Sequence, residues 1–348
     1  MSCCFPKCRK SKREDRYKVK EEDSAPAPPE VRVDPPEPVF SWDKRENVDL
    51  SHYTVANIHG ESHKREGNTK DAMQIENCSE ASVFLLKTTA SLTIDDCRDC
   101  LLILGPCSGS VFIRDCTNCI ILTACQQLRL RDCHNVKIAI LCPTQPIIEN
   151  SDDIHFHPLA LFYEDFKNQM CESGLSLFTN RVKTAHDFTP EGNRKNFLMH
   201  GGFVSIDEKY LEVMTKENIS VETAKSSLPV FKPPSVTKKE LPIFIYSIRE
   251  TDESRDDFSE RICTFTEILK DVQDLNLLDS YDIETKNIDK SILPVDGSYD
   301  NIILFEMVGE LSKLQEVCKE NFDIFKVLDE SKMEQVTKLL KAHRAKND

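Results

Sequence analysis

Five short segments between residues 75 and 151 repeat one alternation of apolar and polar positions. They begin at Ile75, Ile94, Ile113, Leu130 and Ile148, and successive starts are 19, 19, 17 and 18 residues apart. β-Branched residues, a period of two and punctuation by Asp, Asn, Gly and Pro are typical of strands rather than helices. A repeat of about 18 residues predicts a coil of three short strands, and about five such coils would stack into a right-handed parallel β-helix.

A different pattern follows residue 240. Residues 242–248 and 301–308 are continuous apolar runs typical of buried strands, whereas residues 258–275 and 310–319 have helical spacing. Residues 323–328 indicate another strand, and residues 333–345 indicate a basic amphipathic helix. The order of these segments predicts a smaller α+β domain of ferredoxin-like type.

The chain of 348 residues therefore divides into four predicted parts. The β-helix domain occupies residues 39–200, a polar linker residues 201–240, and the α+β domain residues 241–348. Residues 1–38 form the fourth part, a basic tail rich in cysteine and proline that we expect to be extended and disordered.

The total charge narrows the class of partner. The net charge is −14 and the isoelectric point about 5.2, whereas nucleic-acid binding needs clustered Lys and Arg, so we expect no nucleic acid as partner. No stretch is long and apolar enough for a membrane-spanning helix, and the first residues have no apolar segment like that of a secretory signal. We therefore expect a reducing, cytoplasmic environment.

Nine of the 15 cysteines lie between residues 78 and 142, and two explanations compete for them. The Cys-x2-Cys pairs at residues 97–100 and 116–119 have a spacing typical of zinc sites. In other coils, however, the second position of the pair is filled by Ala81, Val136 and Ile154, which are packing residues. We therefore expect buried thiols and no metal site, since free cysteine behaves as a small buried apolar residue. Zinc is the alternative.

Several strings in this region resemble one known family. They are Ser-Leu-Thr-Ile-Asp-Asp-Cys at 91–97, Gly-Ser-Val-Phe at 109–112, Gln-Gln-Leu-Arg-Leu-Arg-Asp-Cys at 126–133, Thr-Gln-Pro-Ile-Ile-Glu at 144–149 and His-Asp-Phe-Thr-Pro at 186–190. Residues 38–200 resemble the tubulin-cofactor-C domain family, and within it the retinitis-pigmentosa-type members. The C-terminal third is similar to nucleoside diphosphate kinase, as in those members, but after His200 it has only His343, so we expect no kinase activity.

The resemblance implies a GTPase-activating protein for an Arf-like small GTPase in its GTP form. Such a protein supplies an arginine in trans, and the matching position here is Arg129. Residues that match the partner-binding surface are Gln126, Gln127, Glu149 and Phe188. GTP and Mg²⁺ would belong to the partner, and this chain would have no cofactor and no catalytic activity of its own.

The repeat supports that placement independently. Leu128 and Leu130 align with inward positions of the preceding coil, so Arg129 and Arg131 should point outward. Glu149 aligns one coil above Arg131, which we place with the partner-binding residues. A solvated ladder of ion pairs is the plainer interpretation of these charges. Similarly, the two glutamines could be turn residues and Phe188 a core aromatic.

The N-terminal tail suggests a membrane address. Residues 1–20 carry eight Lys or Arg against two acids, beside Cys3 and Cys4. This predicts S-palmitoylation and attraction to the anionic inner face of the plasma membrane. The family resemblance adds the base of the cilium, although Ser2 stands where many relatives have a glycine that accepts myristate. Two other functions stay open, a non-catalytic effector or scaffold and a tubulin-folding cofactor.

Overall fold

The computed structural model describes residues 50–67, 70–190, 192, 195–226, 228–229, 242–250, 252–288, 292–293, 301–321 and 324–347. All of them belong to one compact unit, residues 49–348. The predicted tail and its lipidation sites at Cys3 and Cys4 lie outside the described residues. Within those ranges, no helix is long and apolar enough to cross a bilayer.

Residues 54–199 form the predicted parallel β-solenoid, in which two sides of each coil are strands. Face A consists of β1 Thr54–Ala56, β3 Ala72–Glu76, β5 Ser91–Asp95, β7 Cys107–Arg114, the second half of β8 Ile120–Arg131, β10 Ile147–Glu149 and β12 His186–Asp187. Face B consists of β2 Ser62–Gly67, β4 Ser82–Lys87, β6 Leu101–Leu104, the first half of β8, β9 His134–Leu141, β11 Asp152–Pro158 and β13 Phe197–Met199. The third side of the lower coils is short, with isolated bridges at Ser79, Arg98, Thr117 and His134 in place of a strand.

Sharp corners separate the sides of each coil. Asp96, Asp115 and Asp132 turn the chain after face A with φ of 51°, 51° and 54°. Asn and Asp tolerate this left-handed region better than other residues with side chains, because their short polar groups bond locally. The polar punctuation in the sequence is therefore the corner residue of each coil.

The solenoid interior is lined by ladders of like residues, and the buried cysteines belong to it. All nine cysteines from residue 78 to residue 142 are buried free thiols. The thiols of Cys97, Cys116 and Cys133 each donate to the backbone carbonyl two residues earlier, at 3.1–3.4 Å. Burial raises the pKa of the Cys125 thiol well above its usual value, which favours the neutral form. The inward direction expected of these cysteines is confirmed by this burial and register.

Two helices lie beside face B. They are α1 Phe166–Ser173 and α2 Glu208–Lys216, and α2 falls inside the segment predicted as a linker. The spacing of four between Tyr210 and Met214 places both on one helix face, where they are buried. The Tyr210 hydroxyl also donates to the carbonyl of Asp99 at 2.7 Å. Part of the predicted linker therefore packs on the solenoid, because its apolar residues have helical spacing.

The C-terminal region is an antiparallel sheet with helices. Its elements are β14 Ile243–Ile248, α3 Arg255–Asp271, β15 Asn276–Glu284, β16 Asn301–Val308, α4 Leu311–Glu320, β17 Lys326–Val327 and α5 Glu330–Asn347. The strand order β15-β16-β14-β17 with one helix after β14 and one after β16 is the predicted ferredoxin-like arrangement. Strand β15 was not predicted from the sequence, since its polar residues hide the apolar alternation expected of a sheet edge.

Candidate functional site

Strand β8 carries the predicted site residues because it runs across two faces of the solenoid. It pairs with β6 and β9 on face B up to Ala124, and with β7 and β10 on face A from Cys125 onward. On face A, Leu128 and Leu130 are buried, while Arg129 is exposed. The predicted outward direction of Arg129 is therefore confirmed.

Strand register stacks the outward residues of successive coils into two columns. In the first column Arg129 lies between Phe112 of β7 and Ile147 of β10. In the second column Arg131 lies between Arg114 of β7 and Glu149 of β10, which confirms the predicted alignment of Glu149. The columns bring three arginines and one glutamate together on adjoining coils of an acidic protein.

Two of the three arginines are already engaged. The Arg114 Nε donates to Asp95 Oδ1 at 2.6 Å, and the Arg131 Nε lies 3.2 Å from Asp132 Oδ2 as an ion pair without hydrogen-bond geometry. Both guanidinium carbons also lie near the ring of Phe112, at 5.2 and 5.9 Å from its centroid. These are cation–π contacts that hold both side chains along the sheet surface.

Arg129 differs from its two neighbours. Across the described part of the chain its guanidinium makes no hydrogen bond and no ion pair, and the side chain is exposed. Glu149 is also exposed, and its carboxylate has no bonded partner there. Because the two residues are diagonal neighbours on adjoining strands, their long side chains are within reach of each other. An unpaired guanidinium on a rigid strand is a ready ligand for phosphate or carboxylate.

The remaining predicted residues surround this centre. Gln126 is exposed at the start of the face A half of β8, where its backbone carbonyl accepts from Thr144 Oγ1 at 2.6 Å. Gln127 shares the outward parity of Arg129, and its Oε1 accepts from Ser110 Oγ at 3.2 Å. Both glutamines therefore flank the arginine column on the coil that carries it.

Phe188 stands at the upper end of the site. It follows β12, and its backbone amide donates to the carbonyl of Ile148 at 2.9 Å, which continues the parallel register of face A. The side chain is 61% exposed and packs edge-on against His186 with the ring centroids 4.6 Å apart. The plainer expectation of a core aromatic is therefore wrong, because the ring lies on the outer surface.

Sequence reasoning missed the residues that hold the neighbouring arginines. Phe112 is the platform beneath Arg114 and Arg131, and Asp95 is the ion-pair partner of Arg114. Both lie in the same two columns one and two coils below the site. Extending the repeat alignment across the outward positions, instead of the inward ones alone, would have found them.

The fold and the site define a β-solenoid domain that presents three arginines on face A. The family model described as tubulin binding cofactor C matches residues 70–188. The protein named XRP2 from Mus musculus is 39% identical over 236 residues, which is 66% of this chain and 63% of that protein. XRP2 from Homo sapiens is 38% identical over 237 residues, at 66% and 64% coverage. Residues 70–188 therefore resemble the tubulin binding cofactor C family, and the chain is similar to the XRP2 proteins, less than two thirds of whose length it spans.

Solved structures match as well, and one of them is a tubulin binding cofactor C. Tubulin binding cofactor C from Leishmania major is 21% identical, and the alignment covers 50% of this chain and 98% of that one with a TM-score of 0.29.

Proposed function

We propose that this protein is a GTPase-activating protein for an Arf-like small GTPase, with Arg129 as the arginine finger. The observation that carries the proposal is the difference between Arg129 and its neighbours. Arg114 and Arg131 are held by carboxylates and by the ring of Phe112, whereas Arg129 is exposed and unpaired. A residue that must enter a partner's nucleotide site needs this freedom at its tip together with a rigid backbone.

The chemistry of GTP hydrolysis explains the need for one such residue. Negative charge on the transferring phosphoryl group and the leaving oxygen must be neutralised in the transition state. A guanidinium is planar, forked and always charged, so it suits this task. An arginine supplied in trans accelerates the reaction about 10³- to 10⁵-fold, equivalent to about 4–7 kcal/mol of barrier. GTP and Mg²⁺ are then held by the partner, and this chain only completes that site.

The surrounding residues take supporting roles in this proposal. Gln126 and Gln127 offer side-chain amides to the partner beside the finger, and Glu149 on the next coil is within reach to orient the guanidinium of Arg129 once the partner is bound. Arg131 adds positive charge that attracts the phosphate-bearing site. Phe188, which is 61% exposed, is the apolar anchor at the edge of the interface.

Single-turnover GTP hydrolysis by an Arf-like GTPase tests the proposal, with the full-length protein at saturating concentration. We expect wild type to accelerate hydrolysis by about three orders of magnitude or more, and Arg129→Ala to lose nearly all of this. Arg131→Ala is the matched control, because it removes a neighbouring guanidinium that is already paired. Loss of stimulation in Arg131→Ala but not in Arg129→Ala would show that the finger is Arg131 and that the proposal names the wrong arginine.

A second candidate function is that of an effector or scaffold that binds the GTP form without accelerating hydrolysis. The exposure of Phe188 supports it, because an exposed aromatic stabilises a complex whether or not the arginine is catalytic. Binding with an unchanged hydrolysis rate would favour this function. Tubulin is the further candidate partner, on the name of the matched family.

We also propose that Cys3 and Cys4 are S-acylated and attach the protein to the cytoplasmic face of the plasma membrane and at the cilium base. Support comes from the basic residues around them in the sequence, since one lipid signal plus basic charge gives stable attachment where either alone does not. Hydroxylamine-sensitive acylation of wild type, and its loss in the Cys3→Ser/Cys4→Ser variant, is the expected result. A wild-type protein that stays in the soluble fraction would contradict it.

A further inference from the structure

Three histidines form a stack at the upper end of face B. His155 and His157 belong to β11, and His200 directly follows β13, the last strand of this face. The ring of His200 stacks on His157 with the centroids 4.4 Å apart and the planes 7° apart. It also approaches His155, with the centroids 4.9 Å apart and 2.7 Å between His155 Nδ1 and His200 Nε2. The stack is therefore a side-chain connection between β11 and the terminal strand.

The hydrogen bonds around the stack leave one ring nitrogen as an acceptor. Asp153 Oδ1 lies 2.8 Å from His155 Nε2, and the Gly202 carbonyl lies 2.9 Å from His157 Nδ1. Both oxygens only accept, so His155 donates from Nε2 and His157 donates from Nδ1. His155 Nδ1 is then the acceptor for the Nε2 proton of His200. If both of these facing nitrogens carried a proton, two N–H groups would meet across 2.7 Å and that bond would be lost.

Two lysines and two aspartates lie around the stack. Lys137 of β9 lies in register with His155, and Asp153 is the acid that contacts the stack. On the opposite side, Lys183 and Asp279 share a cavity with His200 and pair with each other at 3.3 Å. Burial lowers the pKa of His157 and His200 below the usual value, and the neighbouring histidines and Lys137 add to this. The lowered pKa agrees with the hydrogen-bond pattern.

We infer that this stack is a pH-sensitive latch that holds β13 on the solenoid at neutral pH and releases it on mild acidification. A histidine whose pKa is lower in the folded state than when released binds more protons after release. The stabilisation is thus fully present above the ordinary histidine pKa of about 6.5 and is lost as the pH falls below it. Released β13 would expose the end of face B and open the cavity that His200 and Met199 line.

Hydrogen exchange of the full-length protein tests the latch at about pH 7.5 and about pH 5.5, after correction for intrinsic exchange rates. Protection of residues 195–203 should fall by about fivefold or more in wild type at the lower pH. The His157→Asn/His200→Gln variant keeps an amide that can donate at each position but has no titratable group at either one, so its loss of protection at the lower pH should be far smaller than that of wild type. His134→Asn is the control, because His134 also contacts a carboxylate, Asp152 at 2.8 Å, but lies outside the stack.

Each outcome decides for or against the latch. Equal wild-type protection at both pH values would overturn it, and so would a pH-dependent loss that is as large in the double variant as in wild type. If the double variant does not fold, the single His157→Asn variant is used instead, and its pH-dependent loss of protection should be at most half that of wild type. NMR titration of the wild-type histidine rings provides a second measurement, in which midpoints for His157 and His200 at or above about 6.5 would also contradict the latch.

Discussion

The two faces of the solenoid share one backbone geometry and differ in what lies outside them. On face B, strand β4 is buried at all six positions, and its outer residues Phe84 and Leu86 pack in one cluster with the C-terminal sheet. On face A, strand β5 alternates between partly exposed and buried positions. The outer cluster on face B also includes Ile103 and Leu122, with α1 and α2 residues. Face A instead has its arginine columns in the same structural position.

This difference shows that the polarity of the outward side chains depends on whether a second layer packs on the sheet, since the strands of both faces are parallel. Interior residues of both faces are equally apolar, because both close the same core. Where a second layer covers the sheet, both sides of the strand must be apolar, and the sequence becomes a continuous run. A face that remains polar, charged and uncovered in the described unit is available for a partner protein.

Removing an outer side chain from the covered face should have the largest effect on stability. Ile103 of β6 is fully buried in the outer cluster on face B, so Ile103→Ala should lower the free energy of unfolding by about 2–5 kcal/mol through lost burial and a cavity. Thr93→Ala, at an outward position on face A, is the control and should change it by less than about 0.5 kcal/mol. Denaturant unfolding measures both. Equal losses would show that the two faces do not differ in coverage.

A core cysteine should have a smaller effect, and a chelator none. Cys125 is fully buried, and Cys125→Ser exchanges a weakly polar thiol for a hydroxyl that must be desolvated, which should lower stability by about 1–3 kcal/mol. If the cysteines only pack, incubation with a zinc chelator should leave the unfolding midpoint of wild type unchanged. Stoichiometric zinc in the purified protein, or a chelator-induced shift, would instead favour the zinc interpretation.

Phe188, the exposed aromatic residue at the end of face A, should affect binding and not stability. Phe188→Ala should weaken binding of the GTP-loaded GTPase by about tenfold, because an aromatic anchor loses its contact area, with little change in unfolding. Calorimetric titration gives the affinity, and Leu211→Ala on α2 serves as the control since Leu211 is exposed on a different element. A destabilised variant with normal affinity would place Phe188 in the fold instead of the interface.

Breaking an ion pair on face A should have the smallest effect on stability. Asp95→Asn removes the partner of Arg114, and a partly exposed pair should contribute less than about 1 kcal/mol, with the loss reduced at high salt. Unfolding at two ionic strengths measures this. A larger, salt-independent loss would mean that the pair is structurally essential and that face A is more rigidly built than this account holds.

The solenoid could be predicted from the sequence because each sequence repeat corresponds to one coil of the structure. Two regularities are enough to derive the positions in this domain: the sequence repeats once per coil, and side chains alternate between inside and outside along each strand. From them follow the ladder positions, the outward direction of Arg129 and the alignment of Glu149 with Arg131. What covers face B could not be derived, because the apolar run in β6 indicates coverage without naming α1, α2 or the C-terminal sheet. Strand β15 was missed because its alternation is interrupted by polar residues and by a register shift between Leu277 and Asp279.

The candidate site was predictable in position but not in its contacts. Register placed Arg129 and Arg131 on one face, yet only the side-chain positions distinguish the unpaired arginine from the one held by Asp132 and Phe112. The histidine stack was invisible in sequence, since His200 meets His155 and His157 only after the chain has made another coil. Contacts between coils of unequal length are not fixed by the repeat.

The most direct test of the central claim is complex formation with a GDP- and aluminium-fluoride-loaded Arf-like GTPase, which mimics the transition state of hydrolysis. Wild type should form a tight complex with this state. Arg129→Ala should not, while it binds the GTP form as wild type does and Arg131→Ala behaves like wild type in both. If Arg129→Ala forms the fluoride complex as tightly as wild type, Arg129 contributes only surface charge and the arginine-finger account is wrong.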